Sequence, residues 1–98
     1  MNDTFADNVL KSREFTITIT NLTSQGLDNG EINKYRDVIQ NYFNLYFTQH
    51  NMVAEITNMD VVMNSLRFTA TFMDSNEKRD YLFVIDVETN TYSSKRIG

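Results

Sequence analysis

An α+β fold is predicted for this 98-residue chain: one long amphipathic helix packed on a curved antiparallel sheet of four to five strands. Three observations carry the prediction. Asn29–Gln49 repeats its apolar residues at helical spacing. Several later runs alternate apolar and polar residues, as half-buried strands do. The loops between those runs are too short for parallel crossovers, so the strands must pair antiparallel.

Taken in order, Asp3–Lys11 predicts a short helical arm with Phe5, Val9 and Leu10 on one side. Residues 1–13 form an arm of a single domain that spans 1–98, and an undocked terminus frays. Glu14–Asn21, EFTITITN, alternates without a fault, which predicts a strand with Phe15, Ile17 and Ile19 facing the core. Thr23–Gly30 is a polar turn region with two glycines, Gly26 and Gly30. Asp28 and Glu31 then read as an N-cap with its capping-box partner.

The long helix places Ile32, Tyr35, Ile39, Phe43 and Tyr46 on one stripe. Val38, Tyr42 and Leu45 widen the stripe on one flank and Phe47 on the other, an arc of about 200°. So wide an arc wants cover on two sides. Asn51 is the predicted left-handed cap. Val53–Met63 reads as a strand whose phase shifts near Asn58: Ala54 and Ile56 point together, then Met59, Val61 and Met63, which a bulge reconciles. Leu66–Met73 sends Leu66, Phe68, Ala70 and Phe72 inward. After the polar hairpin loop Asp74–Lys78, Asp80–Glu88 is apolar on both faces from Tyr81 to Ile85. Thr91–Ile97 returns as a short edge strand blunted by Lys95 and Arg96. The predicted order, with a strand on each side of the long helix, resembles the cystatin-like and NTF2-like outline of a helix wrapped by a curved sheet.

Composition narrows the function. Thirteen acidic against nine basic residues give a net charge of −4, and the pI is near 4.7. That balance opposes phosphate neutralisation and so argues against direct nucleic-acid binding. It favours a protein partner with a basic surface. With no cysteine and one histidine, His50, the chain lacks the ligands of a familiar zinc site and the parts of a Ser-His-Asp relay. Asp74, Asn76, Glu77 and Asp80 lack the glycine and distal glutamate of a calcium-binding EF-hand loop. Three scattered glycines make no phosphate loop. Asp86, Glu88 and Glu55 could do acid-base work only if brought together and buried. Asn2-Asp3-Thr4 and Asn21-Leu22-Thr23 match the glycosylation pattern, as an Asn- and Thr-rich chain does by chance. No catalytic residue, metal or cofactor is expected. The absence of a signal-like N-terminus and of any long apolar run predicts a cytoplasmic protein with no membrane contact.

Two surfaces are candidates for binding. One is the helix flank Val38, Tyr42 and Leu45, which a homodimer or the docked N-terminal arm would cover. The other is the outward sheet face, where Leu82 and Val84 are more apolar than a wet face requires, beside the acidic hairpin residues Asp74, Glu77 and Asp80. The expected function is a small non-enzymatic protein-binding module. Residues with AT-rich codons are over-used, which points to an AT-rich genome such as a low-GC bacterium or its phages and plasmids. A small, acidic, cysteine-free chain of that origin suggests a phage or mobile-element inhibitor of a host nucleic-acid-handling protein, an anti-CRISPR for example, acting by steric occlusion. Two readings stay open beside it: a ligand-binding or catalytic domain with a pocket between helix and sheet, and a dimeric structural subunit.

Overall fold

In the computed structural model, residues 4–98 are described. Among them three helices come first, α1 (Thr4–Lys11), α2 (Arg13–Leu22) and α3 (Ile32–Thr48), and four strands follow. The strands are β1 (Val53–Val62), β2 (Ser65–Met73), β3 (Lys78–Asp86) and β4 (Thr91–Arg96). They form one antiparallel meander in the order β1-β2-β3-β4. The helices cover one face of it, so the α+β architecture stands. The predicted arm is α1, although its first residue, Asp3, lies outside the described residues, as does Asn2.

Residues 14–21 correct the sequence reading. They form the body of α2, not a strand. The Ser12 hydroxyl accepts from the Phe15 N–H at 3.3 Å and caps the helix start. Thr16, Thr18 and Thr23 turn their hydroxyls back onto the carbonyls of Ser12, Glu14 and Ile19. Phe15, Ile19 and Leu22 also fit a helical stripe, and the first two are fully buried. Ile17, which the alternation placed inside, is 48% exposed. With this segment helical, the strand before the long helix is gone, and with it the element order behind the cystatin-like and NTF2-like outline.

Elsewhere most local signals are met with small shifts, but the predicted capping box is not formed: the Asp28 N–H donates to the Tyr35 hydroxyl at 2.9 Å rather than to Glu31. Asp28 caps a single 3-10 turn, Asn29–Glu31, accepting from the Gly30 N–H at 2.9 Å, and the α-helix proper begins at Ile32. The buried stripe of α3 is Tyr35, Ile39, Phe43 and Phe47, with Tyr46 half-buried beside it. Asn51 is left-handed at φ 57°. The register of β1 shifts between Thr57 and Asp60, and Asn58 there has φ 53°. Met63, predicted to point inward with Met59 and Val61, instead sits in the β1–β2 turn at φ 54° and is 89% exposed.

Between α3 and the sheet the core is aromatic. The Phe43 ring lies 5.4 Å from Phe47, 5.7 Å from Phe83 and 6.0 Å from both Phe68 and Phe72. Phe5 of α1 meets Phe72 edge-on at 4.9 Å and Tyr81 at 5.3 Å, so the arm is docked on the same core. At the β1 margin of the sheet a polar side chain ties the two layers. Gln40 of α3 accepts from the Ile56 N–H at 2.8 Å and donates to the Ala54 carbonyl at 2.7 Å. Its amide thereby occupies outward-facing backbone groups of β1 as a neighbouring strand would.

Candidate binding surface

The α2 cap does more than start a helix. Ser12 donates its hydroxyl proton to Glu14 Oε2 at 2.9 Å, which leaves its oxygen as acceptor for the Tyr42 hydroxyl, also at 2.9 Å. The Phe15 ring lies 5.4 Å from the Tyr42 ring. Together these contacts half-bury Tyr42 against α2. Burial raises the Tyr42 hydroxyl above its usual range, opposed by the Ser12 bond. The Glu14 carboxyl is held below the usual carboxylate range by its own backbone N–H and then by Ser12.

Beyond Tyr42 a cleft of about 370 Å³ opens between Glu14, Tyr42, Leu45, Tyr46 and Gln49. The Tyr42 and Tyr46 rings are stacked 6.0 Å apart at 24°. Leu45 is 71% exposed. A second depression along the same helix pair is lined by Thr18, Asn21, Leu22, Lys34 and Val38. The structure therefore places Val38, Tyr42 and Leu45 on one flank of α3 beside α2, with Tyr42 partly covered and Leu45 open. Glu14 is the member of this group that the sequence reading missed. A strand at 14–21 hid it, whereas the run Ser12-Arg13-Glu14-Phe15 ahead of a helical stripe was the signal that could have found it.

The other predicted site residues do not form one acidic surface. Asp74 turns its carboxylate onto the N–H groups of Asn76 and Glu77, both at 2.8 Å, which closes the β2–β3 hairpin and lowers its pKa. Glu77 pairs with Arg79 at 2.5 Å, and Arg79 is folded inward and buried. Asp80 accepts from Thr71 at 2.6 Å on the outward sheet face. Leu82 and Val84 lie on that face, half-buried among their strand neighbours. Each carboxylate thus has a local structural partner.

Nor are Glu55, Asp86 and Glu88 convergent. Glu55 pairs across from Thr71, while Asp86 pairs across from Ser65 at the other end of the sheet. Asp86 accepts from the N–H groups of Glu88 and Thr89, and Glu88 accepts from Asn64 at 2.9 Å. His50 is exposed, its ring 5.3 Å from Tyr46 beside a groove that Phe5 also lines. Among the described residues no three His, Cys, Asp or Glu side chains cluster as metal ligands would. No helix among them is long and apolar enough to cross a membrane. Comparison with protein-family models, with curated proteins and with solved structures found no match.

Proposed function

We propose that this chain is a non-enzymatic protein-binding module whose α2–α3 cleft takes a lysine or arginine side chain from a basic partner. The observation that carries the reading is the cleft itself. Glu14 supplies a carboxylate that stays ionised to low pH, Tyr42 and Tyr46 supply ring faces, and Leu45 supplies exposed apolar area. A carboxylate beside aromatic faces suits a long cationic side chain, through an ion pair and cation–π contact at the charged tip and apolar packing of the methylene stem on the rings and Leu45. The net charge of −4 adds long-range attraction toward a basic partner and repulsion from free nucleic acid. An inhibitor that covers the basic groove of a nucleic-acid-handling protein, as an anti-CRISPR does, is the specific form of this reading.

The test begins with affinity purification from the native host and mass spectrometry, followed by titration of the purified partner. Leu45→Asp and Glu14→Lys should each weaken binding at least about tenfold, as loss of an interface anchor does, with circular dichroism unchanged. Raising the salt should slow association. Unchanged affinity in both variants would end this reading, as would tight, salt-sensitive binding of the chain to free DNA or RNA.

A further inference from the structure

We propose that the sheet face opposite the helices is a contact between two copies of this chain, packed as a weak, reversible sandwich. Among the described residues no element lies over this face. At its centre Thr69 pairs across from Leu82, with Arg67 across from Val84 on one side and Thr71 across from Asp80 on the other. Its two edges differ in charge. On β1 the outward residues include Glu55 and Asp60, both exposed, whereas on β4 the outward charge is Lys95. The ladder puts Thr57, Thr69, Leu82 and Lys95 in one row across the sheet, with Glu55 and Asp60 on β1 in the rows on either side.

That arrangement is complementary to itself. A twofold axis parallel to the strands, running between β2 and β3, lays β1 of one copy over β4 of the other and leaves each row facing its own counterpart. Lys95 then stands over Thr57 of the second copy, flanked by its Glu55 and Asp60, and the symmetry makes this pairing twice. Leu82 meets Thr69 in the centre, and Arg67 lies over Val84 next to Asp86 of the second copy. A partner of uniform charge would meet like charge along one edge, so the second copy is the occupant the face fits. Aligned packing of two sheets is an ordinary solution for such faces. Edge-to-edge growth through the first half of β1 is closed by Gln40.

Size sets the strength. Four strands about 4.8 Å apart and about 30 Å long present roughly 570 Å² of flat face per copy. Standard interfaces bury about 800 Å² per partner, so this one falls at the low end and dissociates readily. The α2–α3 cleft lies on the helical layer, so a dimer would display two such clefts outward. This proposal stands without the proposed function, since the two surfaces share no residue.

Sedimentation equilibrium of the full chain, carried to about 1 mM, tests it. The expected result is a monomer–dimer equilibrium that Leu82→Glu weakens at least about tenfold. Because Leu82 is half-buried, a charge swap at exposed positions decides the matter without it. Lys95→Glu alone and the double variant Glu55→Lys, Asp60→Lys should each lose homodimer, and an equimolar mixture of the two should recover a one-to-one heterodimer. A chain that stays monomeric throughout, or a mixture that associates no better than its components, overturns the proposal.

Discussion

Residues 15–22, FTITITNL, and residues 66–73, LRFTATFM, are written in nearly the same letters, yet the first is the body of α2 and the second of β2. What separates them is what lies at their ends and sides. α2 is launched by Ser12, and Thr16 and Thr18 bond back one turn, so these two hydroxyls are satisfied inside the helix. β2 enters from a two-residue turn and has a paired strand on each side, so its backbone is satisfied by neighbours. Threonine is permissive in both settings, and the surroundings choose. The leftover residue records the choice: Ile17 is outside in α2, whereas every apolar alternate of β2 is inside.

The comparison is easiest to break at the buried rings. Phe15→Ala and Phe68→Ala should each lower unfolding free energy by about 3–5 kcal/mol, because both side chains are fully buried. Urea denaturation measures both, and a harmless Phe15→Ala would mean that α2 is not docked as described. Next in size is the cap. Ser12→Ala should cost about 1–2 kcal/mol by removing the acceptor for Phe15, with Tyr42 losing its partner as well. Ser12→Thr, which keeps a hydroxyl able to cap Phe15 and to donate to Glu14, should recover most of that loss in the same assay.

Smaller substitutions sharpen the contrast by their sign. Thr16→Ala on the exposed side of α2 should stabilise by up to about 0.7 kcal/mol, since alanine is the better helix former. Thr69→Ala on β2 should destabilise by up to about 1 kcal/mol, since it removes a cross-strand contact with Leu82. Thermal unfolding at low protein concentration reads both, and equal signs would show that the two segments share one backbone state. Last comes Ile17→Ala, expected within about 0.5 kcal/mol of neutral because the side chain is largely in water. A loss of about 2 kcal/mol or more at Ile17 would restore the strand reading.

The sheet was readable because several independent cues agreed along it. Alternation gave the inward face of β2, Asn51 was the expected left-handed cap, and the phase shift near Asn58 marked the bulge in β1. α3 was readable because its arc exceeded any strand pattern. α2 was not, because Phe15, Ile17 and Ile19 satisfy period 2 while Phe15, Ile19 and Leu22 satisfy period 3.6, and the deciding contacts come from elsewhere in the chain. The cleft was half-readable for the same reason. Tyr42 and Leu45 follow from the helix alone, but Glu14 joins them only through a Ser12–Tyr42 bond that spans 30 residues. The acidic hairpin shows the opposite failure. Asp74, Glu77 and Asp80 are close in sequence, and each is drawn into a local bond that sequence spacing does not reveal.

Gln40 bears on which edge of the sheet is open to another strand. Its two bonds to β1 close over separations of 14 and 16 residues, the shortest reach between the helical layer and the sheet that a polar side chain makes here. Once β1 is held this way, its outer margin is spoken for along Ala54–Ile56, and the next strand can join only on the inner side. That next strand is β2, then β3, then β4, each a hairpin step from the last. A helix side chain thus closes part of one margin of the sheet, and β2, β3 and β4 follow one another from the other side of β1.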